Sequence, residues 1–241
     1  MKISPTSLPL VKNKLSRSIW FSNWNDLQID KLLAGCEVRH FSKSDLVYSD
    51  DARENLVFVL SGSVWTCLRN EAEVVKFGIA YPSTLIGLSQ LAQKFFHDEP
   101  KYEFYAVDEV EVLSISAKVL LGQLESSPVL WKTTAEAAIV YQRHCIKLAL
   151  VLYAGAIRDR LISAIYQFGL SAAKHGARVP DLELSIQQEE LAVLIQSSRQ
   201  HVNKALRDLE QDGLISIGYK KIIIKDPERI EIKALARFSS K

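Results

Sequence analysis

The stretch from Leu184 to Gly213 constrains the fold of this chain more than any other, because it encodes two short helices joined by a tight turn. Ser185 is placed to cap the first helix, and Ser198 is placed to cap the second. Apolar side chains recur in both at the three- and four-residue spacing of a buried helix face. Those predicted to be buried are Leu191, Ala192, Leu194 and Ile195, followed by Val202, Ala205, Leu206 and Leu209. The spacing predicts a helix-turn-helix.

The second of these helices is polar and basic at its start, and a β-hairpin is predicted after it. The runs 214–217 and 222–225 have the apolar composition of two strands, and the turn between them carries Lys220 and Lys221. A helix-turn-helix followed by such a hairpin is a winged helix, whose second helix enters the DNA major groove. The side chains expected on the open face of that helix are Arg199, Gln200, His201, Asn203, Lys204 and Arg207.

Two segments carry a resemblance to a known family. The segments Ser198-Arg199-Gln200-x-Val202 and Leu206-x-x-Leu209-Glu210-x-x-Gly213-Leu214-Ile215 resemble the recognition helix and wing of the cyclic-AMP receptor protein/FNR (CRP/FNR) family of bacterial transcription regulators. Gln196 departs from the pattern, because it stands where the family often has a turn glycine. A glycine adopts the left-handed backbone of such a turn with less strain.

The resemblance assigns roles to individual residues of the helix-turn-helix. Arg199 is expected to contact guanine through O6 and N7. Lys204 is either a second base reader or a phosphate contact, and Asn203 is suited to adenine. Gln200 stands where the family commonly has a Glu that accepts from cytosine, so the preferred half-site should differ at that position. The other predicted DNA-binding residues are Gln188, Ser198, His201 and Lys220.

Between Glu37 and Ile115 the sequence changes to short apolar runs separated by turns, which is typical of an antiparallel barrel or jelly roll. Within it the segment 57–64 is similar to the strand–Gly–strand signature of cyclic-nucleotide-binding barrels, in which Gly62 makes the turn. Residues 1–15 are expected to be disordered, and 19–33 to form one or two short helices. The predicted strands are 38–41, 46–48, 56–60, 64–68, 74–79, 85–86, 104–107 and 110–115.

A long helix is predicted next, because Pro128 suits a first helical turn and neither Gly nor Pro follows until Gly155. One apolar seam has the heptad spacing of a coiled coil and is expected to form a parallel homodimer. Its members are Trp131, Thr134, Ala138, Tyr141, Cys145, Leu148 and Leu152. A second stripe consists of Ile139, Ile146, Leu150 and Tyr153. One face would contact its own barrel and the other its twin; the alternative is a helix buried wholly inside a monomer.

These patterns predict an α+β chain in three parts. Residues 1–125 would form an antiparallel β jelly roll, a cyclic-nucleotide-binding-like sensor barrel. Residues 126–154 would form the dimerisation helix, and 155–241 the winged helix-turn-helix. Gly155 is the predicted hinge, and Arg158 to Arg160 are expected to make ion pairs that orient the domains.

The loop that cyclic-AMP-binding relatives use for the phosphate lacks its charged residues here. In those relatives a Glu holds the ribose hydroxyl and an Arg pairs with the phosphate. Leu88 takes the place of the Glu, and no arginine occurs between Leu91 and Glu111. Because an unpaired phosphate is costly to bury, the sequence predicts no response to cyclic AMP, and an effector that is less charged or absent. By resemblance the effector pocket would comprise Gly87, Leu88, Ser89, Tyr141 and Cys145.

The sequence favours no enzyme, metal site or cofactor. An iron–sulfur cluster needs about four cysteines, and this chain has three. A metal enzyme needs clustered ligands, whereas the histidines stand singly. Their positions are His40, His97, His144, His175 and His201. Cys145 is either a small apolar residue of the seam or a thiol that pairs with its twin under oxidation.

The partners follow from charge and hydropathy. The formal net charge is only +2, so DNA binding has to depend on where the charges lie. No apolar run approaches the ~18 residues of a membrane span, and three scattered cysteines fit a reducing cytoplasm. We expect a cytoplasmic homodimer that binds a palindromic operator in double-stranded DNA, with RNA polymerase as a partner implied by the resemblance. The alternative is an adaptor whose barrel binds a protein and whose winged helix is a docking module.

Overall fold

A computed structural model describes residues 3–51, 54–69, 74–92, 101–173, 182–184, 186–219 and 221–236. The chain divides into two compact units, a first that ends at Gln142 and a second that begins at Arg143. The boundary lies inside the longest helix, so the division into 1–125, 126–154 and 155–241 stays a prediction. No helix among the described residues is both long and apolar enough to span a bilayer.

Two antiparallel four-stranded sheets form the framework of the first unit, as the sequence predicts for a jelly roll. The strands are β1 (Cys36–Phe41), β2 (Leu46–Ser49), β3 (Asn55–Ser61), β4 (Val64–Arg69), β5 (Val74–Ala80), β6 (Leu85–Ile86), β7 (Lys101–Ala106) and β8 (Val110–Ser116). One sheet has the order β1-β8-β3-β6 and the other the order β2-β7-β4-β5. The predicted strands are all present, and their ends differ from the prediction by a few residues at most.

The two sheets enclose an apolar core. Val57 and Val112 enter it from the first sheet, and Val64 and Ala106 enter it from the second. The turn between β3 and β4 requires a glycine, because Gly62 has a φ of +78° and a Cβ atom there would lie 2.3 Å from the carbonyl oxygen of Glu109. The predicted role of this glycine is confirmed.

Helices cover the other face of the first sheet. They are α1 (Leu8–Ser16), α2 (Asp26–Leu33), α3 (Ala117–Glu125) and the first half of α4 (Pro128–Tyr153). Phe21 follows α1 and packs on Phe58 of β3, with ring centroids 6.0 Å apart. Trp20 contacts Tyr141 of α4, with ring centroids 5.5 Å apart. A second apolar core, the helix-side core, therefore lies between this sheet and the helices.

The helix α1 shows that the disorder expected for residues 1–15 is wrong for residues 8–15, while residues 1 and 2 lie outside the described residues. Val11 and Leu15, one helical turn apart, are 3% and 0% exposed and belong to the helix-side core. The Lys14 ammonium donates a hydrogen bond to the Leu60 carbonyl oxygen at 2.9 Å. The short apolar patch at residues 8–11 is thus one side of an amphipathic helix, whose other contacts come from residues distant in the sequence.

The second unit contains the remaining elements. They are α5 (Ile157–Ala173), β9 (Leu182–Leu184), α6 (Gln188–Leu194), α7 (Arg199–Gln211), β10 (Ile215–Gly218), β11 (Lys221–Ile224) and α8 (Pro227–Ala236). The strands form an antiparallel sheet in the order β10-β11-β9. Leu161 and Ile165 of α5 and Leu206 of α7 are fully buried in this unit. The predicted winged helix-turn-helix is confirmed.

Candidate DNA-binding interface

The first helix of the helix-turn-helix begins later than expected. The residue before α6 is Gln187, whose backbone amide donates to the Glu190 carboxylate at 2.9 Å in a reciprocal capping box. Ser185, the predicted cap, lies outside the described residues, and Gln187 has the capping position instead. Leu191, Ala192 and Leu194 are buried as predicted, and so is Ile195 just after the helix.

The turn between α6 and α7 is held by two backbone hydrogen bonds. The Gln196 amide donates to the Val193 carbonyl at 3.1 Å, and the Ser197 amide donates to the Ala192 carbonyl at 2.9 Å. This is the Schellman arrangement, which requires a left-handed residue directly after the C-cap. Gln196 is that residue, with a φ of +47°. The strain predicted at this departure from the family pattern is present.

The recognition helix α7 begins at the predicted cap. The Ser198 hydroxyl oxygen accepts a hydrogen bond from the His201 amide at 3.3 Å. Val202, Ala205, Leu206 and Leu209 are all buried, as their spacing predicts. Burial of this face turns the opposite face outward.

The predicted DNA-binding side chains differ in exposure. Those that are exposed are Ser198, Arg199, Gln200, His201 and Lys204, and Gln188 is half-buried at the start of α6. Asn203 is half-buried, and its amide oxygen is shut away from solvent with no hydrogen-bond partner among the described residues. Lys220 lies outside the described residues. The exposed set forms one cationic end of α7, whereas Asn203 points partly into the unit.

The wing is tied to the recognition helix. The Ile217 amide donates to the Glu210 carboxylate at 2.7 Å, which links β10 to α7. Tyr219 follows β10 and is 86% exposed. Between the wing and the helix-turn-helix lies an open groove of about 290 Å³. Its lining residues are Ile186, Gln187, Gln188, Glu189, Arg199, Ile217, Gly218, Tyr219, Lys221 and Ile222.

Two cations in this unit pair with carboxylates near the groove. Arg199 Nη1 lies 2.8 Å from Glu189 Oε1, and Lys221 Nζ lies 2.9 Å from Glu183 Oε2. All four side chains are exposed, so each ion pair is hydrated and stabilises the fold little. The positive charge of the candidate interface is therefore partly neutralised by the chain itself.

The arginines near Gly155 act within the second unit. Arg158 pairs with Asp212 beyond the end of α7, and its hydrogen bond lowers the pKa of the Asp212 carboxyl. Arg160 Nη1 donates to the Ile195 carbonyl oxygen at 2.9 Å, at the turn of the helix-turn-helix. The expectation that these residues orient the two domains is wrong for these contacts. They fix α5 against the turn and the C-terminal end of the helix-turn-helix instead.

The loop predicted for the effector is held by hydrogen bonds around a carboxylate. Asp50 Oδ1 accepts from the Ser89 hydroxyl at 3.1 Å and from the Tyr48 hydroxyl at 3.0 Å, and Asp50 Oδ2 accepts from the Tyr102 amide at 3.0 Å. The buried Gln90 amide nitrogen donates to the Tyr48 hydroxyl at 2.9 Å. Burial of the Tyr48 phenol raises its pKa to about 12, so this hydroxyl keeps its proton.

The other predicted pocket residues lie in different surroundings. Gly87 has a φ of +89°, and a Cβ atom there would lie 2.8 Å from the Tyr48 ring. Leu88 and Tyr141 pack against the helix-side core of the first unit. Cys145 is exposed in the single chain and belongs to the second unit, so its predicted roles in the seam and the pocket stay predictions.

The predicted dimer seam of α4 has mixed surroundings. Ala138 and Tyr141 pack against the core of their own unit, and Leu152 is 3% exposed. Trp131 is 38% exposed and Thr134 is half-buried, whereas Cys145 is exposed. The side chain of Leu148 lies outside the description. Three members of the second stripe are more than half exposed: Ile139 at 57%, Ile146 at 55% and Leu150 at 54%.

Known proteins share the architecture of this chain. Residues 159–231 match the family model of the Crp-like helix-turn-helix domain. A solved structure of a crp/fnr family regulator from Eubacterium rectale has a TM-score of 0.65 at 19% identity and covers 88% of this chain and 96% of that one. The cAMP-activated global transcriptional regulator Vfr of Pseudomonas aeruginosa is 26% identical over 81% of this chain and 92% of that protein. Residues 159–231 are thus a Crp-like helix-turn-helix domain, and the chain as a whole is similar to regulators of the CRP/FNR family.

The match identifies the helix-turn-helix as a Crp-like domain, and Vfr, which is similar over most of the chain, is a transcriptional regulator. The same fold occurs in the c-di-GMP responsive global regulator CLP of Xanthomonas campestris, with a TM-score of 0.60 at 19% identity, covering 84% of this chain and all of that one. The expected resemblance is thus confirmed for the family and for its two parts, the barrel and the winged helix.

Two features of these candidate sites had no signal in the sequence. Glu189 is ten residues before Arg199, and their contact depends on how two helices cross. Asp50 is distant in the sequence from Ser89, and the fold of the barrel brings the two residues into contact. A carboxylate at each position is ordinary for an exposed segment, so sequence reasoning had no ground to single it out.

Proposed function

We propose that this CRP/FNR regulator is a homodimer that binds a two-fold symmetric site in double-stranded DNA, and that cyclic AMP is not its effector. The first turn of α7 carries the DNA-binding part of the proposal. It presents Arg199, Gln200 and His201 to solvent, while the opposite face of the same helix is fully buried. RNA polymerase as a partner is an expectation from the family alone.

Arg199 is the proposed guanine reader. It lies at the first position of α7, which is the end that enters the major groove in helix-turn-helix proteins. Its guanidinium can donate two parallel hydrogen bonds to O6 and N7, whereas the nearby Lys204 can act as a point charge toward phosphate or base. Two such helices related by a two-fold axis would contact half-sites about 34 Å apart.

Selection of bound duplexes from a random DNA pool, without added ligand, tests this function. The wild-type protein should enrich a two-fold symmetric motif, and Arg199→Ala should lose about 1–3 kcal/mol of discrimination at one symmetry-related base pair. Arg229→Ala removes the same charge from α8, where Arg229 faces Asp226, and should leave the motif intact. Failure of the wild-type protein to enrich any motif would refute ligand-independent recognition and would favour the adaptor alternative.

The exposed stripe of α4 supports the homodimer. Ile139, Ile146 and Leu150 follow heptad spacing and are each more than half exposed in the single chain. Because aliphatic side chains are stabilised by removal from water, a second copy of the same helix is the partner that fits this repeat. We therefore place the centre of the interface on this stripe, and the predicted seam residues Ala138 and Tyr141 on the side that packs against their own unit.

Replacing Ile146 by Asp tests the dimer. A charge at the centre of a helix pair is costly to bury, so the variant should sediment as a monomer at concentrations where the wild type is dimeric. Leu27→Asp is the matched control, because Leu27 is 64% exposed on α2 and lies off the stripe. Equal sedimentation of the wild type and Ile146→Asp as dimers would remove α4 from the interface.

The hydrogen-bonded loop supports the absence of a cyclic AMP response. Asp50 brings a carboxylate to the loop, where the hydroxyl of Ser89 already donates to it. A phosphate approaching the same donors would meet a like charge, and Leu88 offers no polar group to the ribose. Vfr is named as cAMP-activated and CLP as c-di-GMP responsive, so proteins of this fold differ in effector.

Isothermal titration of the full-length protein with cyclic AMP measures this directly. We expect no binding heat at ligand concentrations up to about 1 mM, which corresponds to a binding free energy weaker than about −4 kcal/mol. Vfr, titrated under the same conditions, is the positive control. Binding in the micromolar range would refute this part of the proposal and leave the DNA-binding part standing.

A further inference from the structure

An acidic residue lies at the edge of the proposed recognition surface. Glu189 is the second residue of α6, and its Oε1 atom lies 2.8 Å from Arg199 Nη1. Both side chains are more than half exposed, at 53% and 64%, and both line the groove beside the wing. The neighbouring Glu190 accepts a hydrogen bond from the Gln187 amide, so it serves the helix cap. Glu189 is the acid of this turn that reaches the base-reading arginine.

The contact changes what Arg199 can do more than it changes stability. Exposed ion pairs add little to folding. A guanidinium, however, has five N–H donors in a fixed plane, so a carboxylate at Nη1 leaves the other donors available. Because the Glu189 carboxylate holds one side of the guanidinium, Arg199 loses less conformational entropy when it contacts a guanine edge. For the same reason, its side chain reaches a neighbouring phosphate less readily.

The carboxylate also acts on the DNA itself. Phosphate contacts supply most of the affinity for any sequence, and they weaken where a negative charge approaches them. A base edge carries no net charge, so the repulsion from Glu189 falls mainly on binding that uses phosphates alone. Repulsion of competing binding modes is a recognised source of specificity.

We infer that Glu189 sets the DNA specificity of this protein by positioning Arg199 and by opposing phosphate contacts. The inference rests on the proposed function of Arg199 as a guanine reader. Glu189 is a positioning residue in this view, and its loss should strengthen binding to arbitrary DNA while weakening discrimination at one base pair.

The wing supplies a matched comparison. Glu183 pairs with Lys221 at 2.9 Å, and its side chain is 48% exposed, close to the value for Glu189. Lysine is a point charge that cannot form the bidentate pattern of an arginine at guanine. Glu183→Gln therefore removes the same charge from beside Lys221, which lines the same groove, without touching the base reader.

The test measures dissociation constants by fluorescence anisotropy at one salt concentration. Three duplexes are used: the motif selected by the wild type, the same motif with the Arg199 base pair changed, and an unrelated sequence. Glu189→Gln should bind the unrelated duplex about three- to tenfold more tightly, and its preference for the selected over the changed duplex should fall about three- to tenfold. Glu183→Gln should tighten binding to all three duplexes by a similar factor and keep the wild-type preference.

Several outcomes separate this inference from the proposed function. An unchanged preference in Glu189→Gln, while the wild type discriminates between the duplexes, overturns the inference and leaves the function standing. A wild type that does not discriminate overturns both. In the Arg199→Ala background Glu189→Gln should no longer alter the preference, because the positioned group is gone. A persistent effect there would show that Glu189 acts without Arg199.

Discussion

Replacing Gln196 by glycine should stabilise the second unit, although it removes an entire side chain. The two helices of the helix-turn-helix end in the same capping pattern, with a left-handed residue after the C-cap. That residue is Gln196 after α6, with a φ of +47°, and Gly213 after α7, with a φ of +72°. The second case has the matching hydrogen bond from the Leu214 amide to the Leu209 carbonyl at 3.0 Å. One chain thus contains both versions of the motif.

The magnitude follows from the backbone alone. A non-glycine residue in the left-handed region costs about 1–2 kcal/mol, and glycine returns about 0.5–1 kcal/mol of that through its larger loss of conformational entropy. Gln196 is exposed, so its side chain contributes little. The net gain for Gln196→Gly is about 0.5–1 kcal/mol, which raises the unfolding midpoint of a unit of this size by about 2–8 °C.

Calorimetry of the full-length protein, combined with hydrogen exchange of peptides from α6 and α7, would measure the effect on the second unit. Gln196→Ala keeps the Cβ atom and should match the wild type. The reciprocal Gly213→Ala should lose a similar amount, because no heavy atom lies within 4 Å of the added Cβ and only backbone strain is introduced. A Gln196→Gly variant no more stable than Gln196→Ala would refute the reasoning.

Two further predictions concern the first unit. A hydrogen bond from Arg69 holds the pKa of the buried Glu103 carboxyl below its ordinary value of 4.5. The ionised Glu103 therefore stabilises the folded state fully above pH 4.5, and this stabilisation is lost as the pH falls through the lower folded-state pKa. The free energy of unfolding, measured in urea by tryptophan fluorescence, should depend less on acidic pH in Glu103→Gln than in the wild type. The same pH dependence in both proteins would contradict this prediction. Leu15→Ala should cost about 2–5 kcal/mol in the same assay, because Leu15 is fully buried. Leu10→Ala, at a 57% exposed position of α1, should cost almost nothing, and equal losses would argue against the burial of one face.

The helix-turn-helix could be predicted because its signals are local. Ser198 caps the helix that it precedes, and the three- and four-residue spacing of apolar residues from Val202 to Leu209 predicts the buried face. The barrel strands were equally accessible, since short apolar runs between turns need no knowledge of their partners. Gln196 was correctly singled out as strained, because the turn geometry alone demands a left-handed residue.

The rest depended on contacts between distant segments. Leu15 is buried because α1 meets the sheet, and nothing within residues 1–15 specifies that surface. Asn203 lies on the side of α7 assigned to the open face, yet its amide oxygen is buried. Arg160 bonds to a carbonyl 35 residues away, so its partner could not be read from its neighbours. Side-chain direction and long-range pairing are what the sequence pattern leaves undetermined.

The carboxylate of Asp50 limits how a descendant of this protein could acquire a nucleotide effector. An arginine introduced into the loop by itself would meet Asp50 and form an internal ion pair rather than an anion site. Loss of Asp50 by itself would leave the Ser89 hydroxyl and the Tyr102 amide without their acceptor. If cyclic AMP is not the effector, as proposed, a phosphate site in this loop would need at least two coordinated substitutions, because neither single change creates one. The hydrogen bonds around Asp50 would therefore oppose the stepwise conversion of this loop into a phosphate site.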